Sequence, residues 1–294
     1  MRILSFGEIL FDIIEGEHYL GGAPLNFAAH LAQLGAESYI YSKVGRDELG
    51  KYAVQQISGL GVKTDFVQHD EAHPTGTVPV EFIAGQPSYT ITEHVAYDYI
   101  QFEAHNQVLV KTEFDVLYFG TLAQRSGQSR EALQQLVSSK KYTHIFYDIN
   151  LRKNCYTPLV IQHSLELCTI LKLNDDEVNV LSNIFYGQAL TVEEFTLLVS
   201  KDYHIPMIII TAGEKGCYLF YEEALHFIAG YPATVVDTVG AGDSFSAAFI
   251  HHYFKKKDAM RAADIANRMG AFVASSRGPL PPYSAEIKSA LMLS

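Results

Sequence analysis

Short apolar runs alternate with helical patterns along most of the chain. The predicted strands are residues 2–10, 37–44, 116–121, 144–150, 169–174 and 207–211. The predicted helices are residues 24–35, 48–58, 129–140, 157–167 and 191–202. Because the strand runs show little polar alternation, we expect strands buried on both faces in a mostly parallel sheet. The pattern predicts an α/β fold, a Rossmann-like three-layer sandwich.

One stretch, residues 75–95, departs from this alternation of strands and helices. VPVEFI and PSYTIT flank AGQ without any helical pattern, which predicts an antiparallel hairpin, and residues 10–20 are expected to pair with it. So small a sheet is marginal alone in water and needs the main domain, a ligand or a second subunit to cover it. We therefore expect one domain, residues 1–294, with a β-sheet lid formed by about 11–22 and 75–99. A hairpin without a functional role is the alternative.

Composition and charge argue against several classes of function. The chain has 294 residues, with 22 Lys and Arg against 33 Asp and Glu, a net charge of −11. This balance argues against nucleic-acid and membrane-surface binding, which need a basic face. No apolar run approaches the ~18 residues of a membrane span, and Glu8 and Asp12 interrupt the apolar start, so it does not indicate a signal peptide. Three widely spaced cysteines give neither a disulfide framework nor a zinc site. We expect a cytoplasmic protein without nucleic-acid or membrane partners.

The segment DTVGAGDSF, residues 237–245, follows an apolar run and opens a helical pattern. Gly240 and Gly242 flank the small Ala241, so backbone N–H groups can face an anion at the helix N-terminus. Asp243 lies in the first turn, beside the position of such an anion. The simpler interpretation is a tight turn in which Asp243 only caps the helix.

A second glycine segment, GGAPLN at residues 21–26, precedes the first helical pattern. Its glycines allow the backbone to approach a polyhydroxyl ligand, and Asn26 offers a donor and an acceptor to hydroxyls. Asp12 can accept two hydroxyl hydrogen bonds. A turn, a helix start and a solvated asparagine explain the same residues without a ligand.

These two segments resemble the two signatures of the ribokinase-like (PfkB-type) carbohydrate kinase family. The first signature covers residues 21–35 and the second residues 237–245. Further similarity lies in VGRDELG (44–50), PTGTVPV (74–80), KLNDDE (172–177) and TAGEKG (211–216). Similarity to the bacterial fructokinases lies in GQPSYTI (85–91), VAYD (95–98), DINLR (148–152) and RGPLP (277–281). The resemblance implies ATP-dependent phosphorylation of a sugar, most specifically at a primary hydroxyl of D-fructose.

The resemblance also implies roles for individual residues. The residues implied to bind the sugar are Asp12, Gly22, Asn26 and Arg152. The implied catalytic residues are the proton acceptor Asp243 and the backbone donors Gly240, Ala241 and Gly242. The residues implied to bind ATP are Thr211, Gly213, Gly216 and Asn267, the last close to adenine.

Two cations are implied in the same way. Asn174 and Glu177 would hold Mg²⁺, mainly through water, together with phosphate. Asp237 and main-chain oxygens near Gly278 would hold a monovalent cation such as K⁺.

Two further expectations concern Asp243 and the lid. At a helix N-terminus, the pKa of Asp243 should be low, which makes it an ionised but weak base. Phe82, Tyr89 and Tyr97 should present an aromatic face on the hairpin, which predicts a homodimer through the lids.

Several alternatives remain at this stage. The nearest are kinases for 2-keto-3-deoxygluconate, ribose or tagatose, and a more distant one is a non-catalytic sugar-binding regulator. A nicotinamide-dependent oxidoreductase is disfavoured, because no G-x-G-x-x-G follows the first strand. Residues 45–51 have the spacing of a phosphate-binding P-loop, but Tyr52 replaces the required Ser or Thr.

Overall fold

The computed structural model describes the backbone of residues 1–83 and 86–291, and their side chains except those of residues 80–88. Its strands are β1 (Arg2–Phe6), β2 (Leu10–Ile14), β3 (Glu17–Gly21), β4 (Glu37–Gly45), β5 (Lys63–Asp70), β6 (Gly76–Ile83), β7 (Gln86–Tyr89), β8 (Val116–Gly120), β9 (His144–Asp148), β10 (Ile170–Asn174), β11 (Met207–Thr211), β12 (Gly216–Tyr221) and β13 (Ala224–Ala229). Its helices are α1 (Ala23–Gln33), α2 (Glu48–Gly59), α3 (Gln107–Lys111), α4 (Gly127–Ser139), α5 (Pro158–Leu167), α6 (Asp175–Tyr186), α7 (Val192–Tyr203), α8 (Ala241–Lys256), α9 (Ala259–Ala274) and α10 (Ala285–Ala290).

A nine-stranded sheet forms the centre of the described chain, in the order β13-β12-β11-β10-β9-β8-β1-β4-β5. Neighbours from β11 to β5 are parallel, and only β12 and β13 add antiparallel pairs at one edge. Helices α4 to α7 pack on one face through a core that includes Leu133 and Leu181, and α1, α8 and α9 pack on the other through Phe27 and Phe249. The expected three-layer α/β sandwich is confirmed.

The apolar start of the chain divides between two sheets. Residues 2–10 were expected to be one strand, but β1 ends at Phe6 and β2 begins at Leu10. The chain turns at Gly7, whose φ of +148° suits glycine and where a Cβ would lie 2.5 Å from Pro24 Cγ. Glu8 lies in this crossover, which carries the chain from the large sheet to the small one.

The small sheet has four strands in the order β3-β2-β6-β7. The β6–β7 hairpin and its pairing with residues 10–14 match the expectation, with β2 and β6 parallel. The predicted lid range is too long at its end, because residues 96–99 form a 3₁₀ turn against the large domain. Tyr97 is wholly buried there, so its expected place on the hairpin face is wrong. The side chain of Phe82 lies outside the described residues.

The base of the small sheet is tied to the helical layer by Asp47. Its carboxylate caps α2 through the Gly50 N–H at 2.7 Å and also accepts the N–H and hydroxyl of Thr75, at 2.8 and 2.6 Å. Residues 45–51, whose spacing resembles a P-loop, therefore have a structural role, because Asp47 fixes the chain that leads into β6. No helix among the described residues has the length and apolar character needed to cross a bilayer.

Candidate active site

The candidate active site lies where the parallel strands end at their carboxyl edge. Strands β9, β10 and β11 end at Asp148, Asn174 and Thr211, and α8 begins opposite them. Open α/β sheets bind ligands at this edge. Two cavities meet there, and both are lined by Thr211, Thr238 and Gly242.

The first, named here the polar cavity, has a volume of about 510 Å³ and lies between the sheet edge and the small sheet. From the small sheet it is lined by Leu10, Asp12, Val78 and Tyr89. Its ionisable lining residues also include Glu8, Arg152, Lys172 and Asp243. The strands that were expected to form a lid therefore form one wall of this cavity.

Asp243 lies in the first turn of α8 and faces the polar cavity. Its Oδ2 accepts a hydrogen bond from Asn26 Nδ2 at 2.8 Å, although 217 positions separate the two residues. Burial raises the pKa of Asp243 to about 6, with a further increase from the charge of Asp148, while Asn26, Lys172 and Arg152 lower it. The expected low pKa is wrong, because loss of solvation outweighs the helix N-terminus. At neutral pH the carboxylate is ionised and close to the basicity that suits a general base.

Asp12, Gly22 and Asn26 meet at the same cavity. Gly22 has a φ of +115°, and a side chain there would overlap the carbonyl oxygen of Glu8, so only glycine fits. Within the part of the chain that the structure describes, the buried Oδ1 of Asn26 has no hydrogen-bond partner. Buried polar atoms are normally satisfied, so this acceptor is available to a ligand hydroxyl.

Arg152 also lines the polar cavity, on the segment that follows β9. Its side chain is exposed, and its described hydrogen bond is a long one of 3.4 Å to the Leu151 carbonyl. Burial raises the pKa values of Asp12 and Asp243, and the positive charge of Arg152 opposes both increases. The guanidinium is therefore well placed for an anionic or polar ligand group.

The loop before α8 has the geometry of an anion site. Gly240, with a φ of +78°, is the N-cap residue, and a Cβ there would lie 2.6 Å from Pro279 Cβ. The N–H of Ala241 donates to the Thr238 carbonyl at 3.3 Å, while Gly242 and Asp243 follow in the first turn, where N–H groups have no acceptor within the helix. The loop thus presents backbone donors at the junction of the two cavities.

The second, named here the glycine-lined cavity, has a volume of about 250 Å³. It is lined by all four residues that the family resemblance implies in ATP binding, Thr211, Gly213, Gly216 and Asn267. At Gly216 any Cβ would overlap the Ile228 carbonyl. The amide of Asn267 donates to the carbonyls of Ile228 and Ala229, at 3.1 and 3.2 Å, so it also fixes the β12–β13 hairpin against α9.

Asn174 and Glu177 form a capping box at the start of α6. Asn174 Oδ1 accepts the Glu177 N–H, and Glu177 Oε2 accepts the Asn174 N–H, both at 2.8 Å. Glu177 Oε1 accepts the Leu151 N–H at 2.7 Å. Asn174 lines the polar cavity, whereas the buried Glu177 holds two backbone segments together.

Asp237 and Gly278 are brought together as expected. Asp237 Oδ1 accepts the Val239 N–H at 3.0 Å and its Oδ2 accepts the Gly278 N–H at 3.3 Å. The carboxylate therefore ties the anion loop to the segment before α10.

Sequence reasoning missed Glu8, Lys172 and Asp148. Lys172 Nζ lies 3.1 Å from Asp148 Oδ1, and a Cβ built on Gly242 would lie 3.1 Å from the same Nζ. The pair is buried, and despite its desolvation the pKa of Lys172 is raised by the charge of Asp148. The available signal was a charged residue inside an apolar run, Glu8 in SFGEIL and Lys172 in ILKLN.

Comparison with known proteins gives the family. The sequence pattern of pfkB family carbohydrate kinases matches residues 3–286. The chain belongs to this family. It is a phosphotransferase that acts on a sugar hydroxyl.

The relatives agree with this assignment. A Pyrococcus horikoshii protein described as an uncharacterized sugar kinase is 31% identical, covering 94% of this chain and 91% of that protein. Its crystal structure has a TM-score of 0.82 at 27% identity, covering 99% and 97% of the two chains, and it has also been solved in complex with ATP. The Escherichia coli fructokinase is 26% identical over 98% of each chain. A Vibrio cholerae fructokinase solved with fructose, ADP and calcium shares the fold, with a TM-score of 0.82 at 22% identity, covering 99% and 98%.

Proposed function

We propose that this carbohydrate kinase transfers the γ-phosphoryl group of ATP to a primary hydroxyl of D-fructose. The observation that carries the proposal is Asp243, which lines the polar cavity directly beside Gly242, a residue that lines both the polar and the glycine-lined cavities. The relatives include the Escherichia coli fructokinase at 26% identity and a kinase solved with ATP at 27%. The polar cavity then holds the sugar and the glycine-lined cavity holds the nucleotide.

The proposed reaction relies on positioning and on neutralising charge rather than on a strong base. Asp243 accepts the proton of the sugar hydroxyl, whose oxygen attacks the γ-phosphorus as the bond to the β-phosphate oxygen breaks, leaving ADP. The first-turn N–H groups of α8 stabilise the negative charge on the moving phosphoryl group. Asp12, Asn26 and Arg152 orient the sugar, and the small sheet excludes water.

The residues present fit Mg²⁺ that is carried mainly by the nucleotide phosphates. Among the described residues no group of three or more His, Cys, Asp or Glu could form a metal site. Mg²⁺ usually keeps several waters and needs few protein ligands when phosphates are present. Asn174 would contact the hydrated ion, and Glu177, whose carboxylate oxygens accept the backbone N–H groups of Leu151 and Asn174, would orient Asn174. When bound, the ion neutralises phosphate charge.

The proposal extends to a monovalent cation beside the anion loop. Asp237 lies between Val239 and Gly278, and each carboxylate oxygen keeps acceptor capacity beyond its backbone hydrogen bond. We expect K⁺ to raise kcat relative to Na⁺ or tetramethylammonium, because it would stiffen the loop. Initial rates in the three chloride salts at equal ionic strength measure this, and equal rates would contradict it.

A homodimer through the small sheets is also part of the proposal. Tyr19 on β3 and Tyr89 on β7 are 52% and 59% exposed, and these strands are the two edges of the small sheet. We expect light scattering to give twice the monomer mass at micromolar concentration, and Tyr19→Glu to weaken the association by placing a charge in the interface. A strict monomer would contradict this part of the proposal.

A coupled ADP-release assay over fructose, tagatose, ribose and 2-keto-3-deoxygluconate tests the function. We expect the highest kcat/KM with fructose. Faster turnover of ribose or of 2-keto-3-deoxygluconate would reassign the substrate. Sugar binding in a calorimeter without ADP release would instead indicate a regulator.

A further inference from the structure

Glu8 occupies an unusual position between the two sheets. It lies in the crossover from β1 to β2, with its side chain against Gly22, where a Cβ would come within 3.4 Å of Glu8 Cγ. It lines the polar cavity together with Asp12, Asn26 and Asp243. Glu8 therefore belongs to the same wall as the residues proposed to bind the sugar.

The carboxyl group of Glu8 is buried without full compensation. The residue is 3% exposed, and its Oε2 finds no hydrogen-bond partner in the portion of the chain described. Burial raises the pKa of Glu8 to about 7, while the backbone N–H groups of Glu8 and Ala23 and the charge of Arg152 lower it. An unpaired buried carboxyl costs stability, so its presence at a cavity wall points to a ligand that completes its hydrogen bonds.

The charges around Glu8 restrict the chemistry of that ligand. Asp12 and Asp243 also line the cavity and are acidic. The cationic side chains described in the lining of the polar cavity are those of Lys172 and Arg152. Lys172 is already paired with Asp148, which leaves Arg152 to balance a negative charge on a ligand. A sugar carboxylate in this cavity would meet three acidic groups in a poorly solvated space, whereas neutral hydroxyls can donate to each of them.

We propose that Glu8 binds a hydroxyl of the sugar and determines a preference for neutral sugars over sugar acids. The inference rests on the proposed function. It attributes the choice of substrate class to Glu8, a residue to which the family resemblance assigned no role. Its two effects are separable: hydrogen bonding supports binding of the neutral sugar, and negative charge opposes a carboxylate.

Two variants separate these effects. Glu8→Gln keeps the shape and the hydrogen-bonding capacity but removes the charge, so we expect KM for fructose within about threefold of wild type and at least a tenfold rise in kcat/KM for 2-keto-3-deoxygluconate. Glu8→Leu removes the hydrogen bond, and we expect KM for fructose to rise about 10–100-fold, the usual range for a lost bond to a charged group. KM for ATP should stay unchanged in both. Assays at pH 8 keep the carboxylate of the wild type ionised, and Glu48→Gln, an exposed carboxyl on α2, is the matched control.

The readouts distinguish this inference from the proposed function. Sugar turnover by the wild type tests the function, and the ratio of acid to neutral sugar in the variants tests Glu8. Calorimetric binding of the best neutral sugar, measured without ATP, gives the same comparison if turnover is absent. Unchanged KM and binding in folded Glu8→Leu, or an unchanged ratio in Glu8→Gln, would overturn the inference. If Glu8→Leu does not fold, the ratio of acid to neutral sugar in Glu8→Gln decides alone.

Discussion

Asp243→Asn is expected to lower kcat by about 10²–10⁴-fold, the range for loss of a positioned acid–base group. The side chain keeps its size, and its amide oxygen can still accept from Asn26, so KM for both substrates should change little. Steady-state kinetics with fructose and MgATP measure the effect. Asp176→Asn, the same change at an exposed first-turn position of α6, should keep full activity. Near-normal turnover of Asp243→Asn would mean that Asp243 only supports the start of α8.

The pH dependence of the wild type follows from the same carboxylate. Asp243 can accept a proton only when ionised, and its pKa is about 6. We therefore expect kcat/KM to level off above pH 7 and to fall about tenfold for each pH unit below 6. The residual activity of Asp243→Asn should lack this midpoint, because asparagine does not titrate in this range.

The substitution should also stabilise the protein at neutral pH. The pKa of Asp243 rises from 3.8 to about 6 on folding, so folding favours the protonated form. This contribution is fully present below about pH 4 and is lost as the pH rises through 6. At pH 8 the ionised group therefore costs up to about 3 kcal/mol, at about 1.4 kcal/mol per pKa unit. Urea denaturation should find Asp243→Asn more stable than wild type at pH 8 and not at pH 4; the opposite order would contradict the raised pKa.

The sequence was sufficient for the parts of this site that depend on local pattern. Buried strands without alternation predicted the parallel sheet, and all parallel strands end at one edge, which is where Asn174 and Thr211 lie. Gly22 and Gly240 were identifiable because their backbone has a positive φ, a conformation that few residues other than glycine adopt. The meeting of Asn26 with Asp243 followed only from the family resemblance, because 217 positions separate them.

Properties that depend on burial could not be predicted in the same way. The shift of the Asp243 pKa was predicted in the wrong direction, because the sequence reveals the helix N-terminus but not the solvation that the carboxylate loses. Tyr97 looked like a strand residue, yet the 3₁₀ turn carries it into the core. The sequence implied that Glu177 helps to hold hydrated Mg²⁺, but it did not reveal that the two carboxylate oxygens also accept the backbone N–H groups of Asn174 and Leu151. Each error concerns a contact made by a distant segment.

Lys172→Met is expected to lower the free energy of unfolding by about 3 kcal/mol, because it leaves the charge of Asp148 buried without its ion pair. Asp148 is 1% exposed, and the hydroxyls of Tyr118 and Ser246 donate to its Oδ2 at 3.1 and 3.0 Å. These two bonds remain in the variant, which places the loss at the lower end of the range for broken buried pairs. Urea denaturation at pH 7.5 measures it.

The same substitution should shift the pH profile of kcat/KM. Lys172 lowers the pKa of Asp243, so its removal should move the midpoint above 6 and reduce activity at pH 7. Lys172→Met/Asp148→Asn should recover most of the stability, because a neutral buried pair carries no unpaired charge. Lys43→Met is the matched control: it breaks the 2.7 Å ion pair between the half-buried Lys43 and the buried Asp70, and Lys43 lies outside the lining of the polar cavity. Lys43→Met should lower the free energy of unfolding by a comparable amount and leave the midpoint of the kcat/KM pH profile unchanged. If Lys172→Met and Lys43→Met shift the pH profile equally, the effect is one of general loosening, and Lys172 has no specific part in setting the basicity of Asp243.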